Sequence, residues 1–520
     1  MRRSEVIASP EDRNLRLRMA KGAAWMISLR FAIRCIGLVS VFVLARILAP
    51  ADFGLVAMAT ALSAALTSMS EFGFQIALIQ NQAADRRHYD TAWTLGLFRG
   101  LVVAGALVAA AGELAAVFSD HRLEPILFWF AFGVLVMSFE NIAVVDFRRD
   151  LQFQREFVYR GLAKLASFVV TIPLAIVLRN YWALVVGTVA GQLAAVALSY
   201  TMCAYRPRLA LSAWRELIRF SRWLLLNNVL HVLYHRIDTF VIGRYAGAQP
   251  LGLFRVALEI ASLPTTEMVA PIRSAILPGY AKLAADRGRL RADFVTTFGI
   301  IVIVAMPLAV GLALTADSLV RLLLGGQWLD AIPLLEVLCI AGAINVCTAN
   351  TWPVFIALGR PWINTALMAL GVALLVPLLF WSVLKAGAIG AAWAITTVAG
   401  IMLASNLFAV LRLLGLSGGQ LLAQVWRTLL AVVVMSGAML GVEAAWPYGE
   451  GAFATASLLA GKIVTGAATY LTSLWLLWRL TGSQDGPEQV LISFVRAWLR
   501  GGTFQSVSCP IGHKKAGSTS

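Results

Sequence analysis

The sequence predicts an all-α integral membrane protein of about fourteen transmembrane helices, and three observations carry that prediction. Apolar runs of about 20 residues, the length that crosses a hydrocarbon core of ~30 Å, recur from end to end. Only 13% of the residues are charged, against about 25% in a soluble domain. Basic residues also alternate by loop, with 30 Lys and Arg on one side of the membrane and 5 on the other. Helical spans are expected because every backbone group in lipid must be satisfied within the protein. The net charge of +16 therefore reports topology rather than a nucleic-acid partner.

The elements follow in order. Residues 1–21, "MRRSEVIASPEDRNLRLRMAK", are basic and polar and form a cytoplasmic N-terminal segment. The next run, 22–47, is too long for a signal-peptide core and contains arginines, so it reads as a retained first helix. Further runs lie at 54–79, 91–113, 124–146, 161–178, 182–204, 217–243, 251–278, 292–315, 331–357, 361–383, 387–411, 421–445 and 453–478. An even count places both termini on one side, and the positive-inside rule makes that side cytoplasmic. Loops between spans stay within about 20 residues, too short for a separate catalytic domain. After the last span, the tail 481–520 contains "PEQVLISFVRAWLR" (487–500), whose apolar stripe suits a short helix lying on the membrane surface.

The five cysteines, Cys35, Cys203, Cys339, Cys347 and Cys509, include no CxxC, and four fall in or beside apolar runs, where they read as buried thiols. The five histidines show no metal-ligand spacing. "AGKIVTG" lacks the first glycine and the hydroxyl of a phosphate-binding loop, which argues against ATP hydrolysis. Neither a metal nor a cofactor is expected.

An internal repeat organises the chain. "FVLARILAPADFGL" (42–55) aligns without gaps to "FVIGRYAGAQPLGL" (240–253), an offset of 198 residues. The first stretch joins helices 1 and 2, the second helices 7 and 8. The repeat unit is thus six helices, an even number, so the copies share one orientation about an axis along the membrane normal. The expected divisions are an N-lobe at 22–204, a C-lobe at 205–412, and two added helices at 413–480. Such a pair of bundles reads as a transporter with its path between the lobes.

Charges inside the spans point to what travels there. Arg30 and Arg34 are i,i+4 and share a face of helix 1. An arginine at the centre of a span costs about 2.5–3.5 kcal/mol on insertion scales and normally faces a cavity or a partner. The plainer reading is an ion pair to another helix. On an ideal helix Arg255, Glu259, Ser262, Thr266 and Arg273 fall on one stripe of helix 8, with Pro264 and Pro271 set to kink it. The plainer reading there is an Arg255–Glu259 pair within the helix. Helix 7 carries Asn227, His231, His235 and Asp238 on one face, a candidate for ion coupling. Glu71 on helix 2, Arg99 on helix 3 and Asn345 on helix 10 are further cavity candidates, though small polar side chains also serve helix contacts. The in-span charge is net positive, so the cavity should take an anion, and arginine's planar fork suits phosphate.

With those residues in view, the chain resembles a known family. "VLARILAPADFGLVAMA", "EFGFQIALIQ", "RIDTFVIGRYAGAQPLGLFRVALEIASLP", "LLGGQWLDAIPLL" and "FIALGRP" are similar to Wzx-type polysaccharide flippases, notably the branch near the colanic-acid and teichuronic-acid exporters. The resemblance runs from about residue 20 to residue 415. That family sits in the superfamily of the peptidoglycan lipid flippase and the multidrug and toxin extruders, with two lobes and no ATPase.

The resemblance implies an undecaprenyl-diphosphate-linked oligosaccharide as substrate, moved from the cytoplasmic to the periplasmic leaflet of the bacterial inner membrane, and a role in exopolysaccharide or lipopolysaccharide biosynthesis. It also implies a polysaccharide polymerase and a chain-length regulator as partners. Arg34 matches the cavity arginine of helix 1 in the peptidoglycan lipid flippases. Asp238 matches the aspartate of the family's N-x-D-x-x-x-I-G-R, with Arg236 in place of the asparagine, and Glu71 stands where many members have aspartate. The added helices would offer a groove to the prenyl tail. The rival readings are a multidrug exporter of the same fold, which would want an acidic cavity, and a membrane polymerase or ligase, which would want a long outer loop with catalytic residues. A structural scaffold would not need costly buried charge.

Overall fold

The computed structural model describes residues 31–81, 84–446, 451–482 and 487–489, apart from the side chains of 80, 216–227, 267–275 and 278. Among these residues every regular element is helical. Arg30, the amphipathic stretch 490–500, Cys509 and the side chains of Asn227 and Arg273 lie outside the described set.

Helix α1 covers 31–47, and α2, Pro50–Met69, follows after a two-residue turn. Proline suits the first turn because its missing N–H has no partner there anyway. Asp52 accepts from the Ala49 N–H at 3.0 Å and closes the cap. The run expected at 54–79 is broken: α2 stops at Met69, and the short α3, Phe74–Gln80, restarts after Gly73 at φ 68°. Helix α4, Arg86–Phe118, is capped by Asp85, which accepts from the Arg87 and His88 N–H groups at 3.2 and 3.4 Å.

Helix α5, Leu123–Ser138, bends by 75° into Ile142–Val145 and α6, Asp146–Arg149, where one straight span was expected at 124–146. Helices α7, Phe153–Leu178, and α8, Trp182–Met202, pair along their length. Small residues allow this: a Cβ at Gly187 would lie 1.8 Å from Thr171 Oγ1, so nothing larger fits.

An extended segment then runs to α9, Trp214–Tyr245. It is fastened along the start of α4. The N–H groups of Arg208, Ala210 and Ala213 donate to Asp90 Oδ1, Thr94 Oγ1 and Thr91 Oγ1 at 2.9, 3.0 and 3.2 Å, and the Tyr205 hydroxyl donates to Asp90.

Helix α10, Ala248–Ala261, is followed by a π turn at Pro264–Val269 and by α11, Ala270–Leu283. This corrects the expected stripe. A π turn carries more residues per turn than an α-helix, so the 100° spacing does not run on through Pro264–Val269. Ser262 and Thr266 spend their hydroxyls on backbone carbonyls of their own segment, at Glu259 and Ser262, both 2.9 Å away.

Helix α12, Arg287–Leu314, leads through the short α13, Ala316–Leu319, and two tight turns to α14, Ile332–Thr348, and α15, Thr351–Ala357. Helix α16, Pro361–Leu414, counts 54 residues, about 81 Å if straight. That far exceeds one hydrocarbon core, and Gly387, at φ 59° and ψ −140°, breaks it close to the predicted junction of two spans. Helices α17, Gly418–Ala445, and α18, Ala452–Leu480, complete the described helices of full length.

Among the described residues nine helices are long and apolar enough to cross a membrane, or ten with the bent α5–α6 pair. Large apolar side chains stand exposed along them, including Phe98 and Val102 on α4, Val169 and Val177 on α7, and Val464 and Leu471 on α18. Such surfaces suit lipid rather than water. The chain is a multi-pass membrane protein. The largest buried core joins α2, α5, α10 and α14. Of the cysteines expected to be buried, Cys203 and Cys339 are, Cys347 is half-buried and Cys35 is exposed.

Candidate functional site

The charged residues predicted for the site fall into two groups. In the first, Arg34 on α1 meets Glu259 on α10. Arg34 Nη1 donates to Glu259 Oε1 at 2.5 Å, and Nη2 donates to the Glu259 carbonyl at 3.2 Å. One turn earlier on α10, Arg255 Nη1 lies 3.9 Å from Asp238 Oδ2 on α9. Asp238 is buried, and its Oδ1 also accepts from the Thr239 N–H at 2.7 Å. Arg236 lies within electrostatic reach of Arg255 and Asp238.

Arg255 and Glu259 thus pair with other helices rather than with each other. The result is two neighbouring ion pairs, Arg34–Glu259 and Arg255–Asp238, drawn from α1, α9 and α10. Among the described residues Arg236 adds a third cation beside them.

The second group lies within the first half of the chain. Glu71 and Arg99 line a small cavity of about 90 Å³ with Glu140 and Ser138. Arg99 and Glu140 also line a cavity of about 400 Å³ with Thr60, Ser63, Thr67 and Gln192. The Tyr159 hydroxyl donates to Glu140, and Asn228 Nδ2 donates to the Glu71 carbonyl at 3.2 Å. Neither cavity is lined by a member of the first group. Glu140 was not singled out from the sequence. Its signal was a carboxylate inside a marked apolar run, and it sits at the α5 bend.

His231 and His235 stack at 4.4 Å between ring centroids and are exposed on α9, with Tyr234 against His235 at 5.0 Å. Asp238 turns to Arg255 and Thr239. Asn345 is exposed on α14, and its carbonyl accepts from Thr348 Oγ1 at 2.9 Å.

A third feature is apolar. A groove of about 1190 Å³ runs between α12, α17 and α18, lined by residues such as Leu308, Met439, Ile463, Tyr470 and Trp475. On its wall the fully buried Lys462 is held by Glu443 at 3.0 Å and by the Leu314 carbonyl at 3.1 Å. Glu488, paired with the buried Arg427 at 3.2 Å, also lines it.

Residues 43–333 match the model of the family described as polysaccharide biosynthesis protein. The chain belongs to that family. Across 422 residues it is 25% identical to the lipopolysaccharide biosynthesis protein WzxC of Escherichia coli K12, covering 79% of this chain and 85% of that protein. It is 24% identical over 324 residues to the teichuronic acid biosynthesis protein TuaB of Bacillus subtilis 168, covering 58% of this chain and 65% of that one. In three dimensions it is similar to the lipid II flippase MurJ in an inward closed conformation. The TM-score is 0.72 at 13% sequence identity, over 87% of this chain and 99% of that one. The likeness to MurJ establishes a shared membrane-transporter fold. The resemblance to polysaccharide exporters read from the sequence is borne out.

Proposed function

We propose that this member of the family is a flippase for a lipid-diphosphate-linked oligosaccharide, carrying it from the cytoplasmic to the outer leaflet by alternating access. The observation that carries the reading is the pair of ion pairs Arg34–Glu259 and Arg255–Asp238, shared by α1, α9 and α10 inside an apolar protein. An unpaired arginine in lipid is costly, and a carboxylate partner offsets that cost while the site is empty. A diphosphate entering the cleft loses hydration and needs fixed cations to replace it. Exchanging Glu259 and Asp238 for phosphate oxygens would turn the arginine forks to the substrate. The groove along α12, α17 and α18, about 1190 Å³ and lined mostly by apolar side chains, suits a prenyl chain. The relatives named for lipopolysaccharide and teichuronic acid biosynthesis, and the fold shared with a lipid II flippase, favour a saccharide on a lipid carrier over a drug.

In this reading the chain makes fourteen spans, with both termini in the cytoplasm and lobes at 22–204 and 205–412. Helices at 413–480 and a tail at 481–520 complete it. It moves its substrate and makes no bond, leaving chain growth to a polymerase and chain-length regulator. Asp238, with His231 and His235 nearby on α9, is the candidate for coupling to a proton gradient.

Depleting the protein in its native cell tests the proposal. Lipid-linked oligosaccharide should accumulate where an outer-leaflet probe cannot reach it. Full accessibility of the same lipid after depletion would refute the proposal.

A further inference from the structure

The end of the protein that carries the Arg46–Ala49 turn holds a second, polar cavity of about 560 Å³. It is lined by Arg46, Arg321, Gly325, Gln327, Ala452 and Thr455, among others. Arg46 comes from the last turn of α1, Arg321 from the turn after α13, and Thr455 from the first turn of α18. Three separate parts of the chain thus converge there.

The cavity's geometry is fixed by the protein. Arg46 Nε donates to the Leu323 carbonyl at 3.2 Å and Nη2 donates to that of Leu322, which holds the guanidinium plane at the rim. Its Nη1 has no protein partner among the described residues. Arg321 Nε donates to Asp317 at 2.8 Å, and nearly half of the Arg321 side chain is exposed. Gln327 Nε2 and Trp328 Nε1 both donate to the Ala45 carbonyl, at 2.6 and 2.7 Å, tying the turn to α1. Arg46 and Arg321 both line this cavity, on the side of the membrane whose loops carry 5 basic residues against 30 on the other.

The polar cavity lies beside the apolar groove. Leu322 lines the cavity and Leu323 lines the groove. On α18, Thr455 lines the cavity, and Leu459, one turn on, lines the groove. A pocket lined by two arginines beside an apolar groove has the polarity of a lipid whose headgroup is a phosphate.

We propose that Arg46 and Arg321 form a binding site for a lipid phosphate of the outer leaflet, with the lipid's chain lying in the groove between α12, α17 and α18. The site is separate from the Arg34 set and would hold the lipid on the side to which it is delivered. Its place in the outer leaflet rests on the orientation given under the proposed function. Its chemistry does not. Arg46 and Arg321 grip the phosphate oxygens, and Thr455 faces the same space. The shared chemistry is a phosphate on an apolar chain, supplied either by a bilayer phospholipid or by a prenyl-linked diphosphate.

Binding to the purified full-length chain in detergent tests this without reference to orientation or transport. The measurement is made in an Arg34→Ala background so that the central cations do not contribute. The probes are geranylgeranyl diphosphate, the shorter geranyl diphosphate, phosphatidylglycerol and phosphatidylcholine.

Arg46→Gln with Arg321→Gln should weaken phosphate-lipid binding by about tenfold or more, the scale of one lost charge-assisted hydrogen bond. Thr455→Glu, which leaves the Arg46 bonds intact, should weaken it too. The longer prenyl diphosphate should bind more tightly than the shorter one, and Ala467→Trp, at an exposed position lining the groove, should erase that difference. A loss confined to the prenyl diphosphates assigns the site to the carrier lipid. A loss shared with phosphatidylglycerol but not phosphatidylcholine assigns it to anionic phospholipid. Unchanged affinity for both in the double variant and in Thr455→Glu, with melting temperatures preserved, would overturn the site. The flippase reading would still stand or fall on accessibility of the lipid-linked saccharide.

Discussion

Gly54 on α2 and Gly252 on α10 pack backbone against backbone, and each touches the residue four before the other. A Cβ on Gly54 would lie 1.7 Å from the Ala248 carbonyl oxygen, and a Cβ on Gly252 would lie 1.8 Å from that of Pro50. Both pairs, 54 with 252 and 50 with 248, differ by the 198 residues of the sequence repeat. Such reciprocity is what a two-fold axis between equivalent surfaces imposes. The glycines let α2 and α10 approach closely, and that approach sets where the charge-bearing faces of α1 and α10 meet.

Gly54→Ala and Gly252→Ala should therefore be equally harmful. Each forces a methyl group onto a carbonyl oxygen, and overpacking of this kind costs about 1–3 kcal/mol. Thermal melts of the two purified variants check this. A matched fall supports the paired crossing; one tolerated and one destructive substitution would break the equivalence.

The Arg34–Glu259 contact should show coupling in a double-mutant cycle. Arg34→Ala and Glu259→Ala alone should each cost more than their share of the double variant, with a coupling of about 0.5–3 kcal/mol. The lower end is expected because the Glu259 side chain is 41% exposed and solvent screens it. Additive single effects in the melts would show that the pair contributes nothing to stability.

Asp238→Asn should relieve the dependence of transport on an imposed pH gradient while binding of the lipid substrate persists. Transport assays in vesicles with and without the gradient check this. Unaltered gradient dependence in a folded, inserted Asp238→Asn protein would remove the α9 face from coupling.

The segment between α8 and α9 should loosen in alkali. Burial, aided by the hydrogen bond to Asp90, holds the Tyr205 phenol above its ordinary pKa. A raised pKa in the folded state favours the protonated form. The associated stability is present below about pH 10 and is lost as pH climbs toward the folded value. Proteolysis after residue 205 should accelerate above about pH 10 in the wild type. In Tyr205→Phe it should be faster at neutral pH and show a weaker pH dependence. Identical profiles would show that Tyr205 does not hold the segment.

The legible parts of this fold are those with a local signal. The turn between the first two helices and the break near Gly387 were marked by composition alone. The breaks at Gly73 and after Ser138 were not legible, because the apolar pattern continues through them and only the backbone turns. At the site, the residue types were readable but the partners were not. Glu259 sits four residues from Arg255, so local spacing suggests an intrahelical pair, yet its partner Arg34 is 225 residues away. Arg99 and Glu71 were grouped with Arg34 by charge, whereas the fold gives them cavities of their own with Glu140. Sequence spacing reports neighbours on one helix, while the site is made between helices.

The most direct measurement of the central claim is translocation of a prenyl-diphosphate-linked oligosaccharide by the purified protein in sealed vesicles, read by a saccharide-cleaving enzyme added outside. The wild type should expose the inner-leaflet pool. Arg34→Ala should slow exposure sharply, Arg34→Lys should recover only part of it because lysine lacks the bidentate fork, and Arg34→Ala with Arg255→Ala should abolish it. Exposure at the wild-type rate in that double variant, at equal amounts of folded protein, would contradict the account.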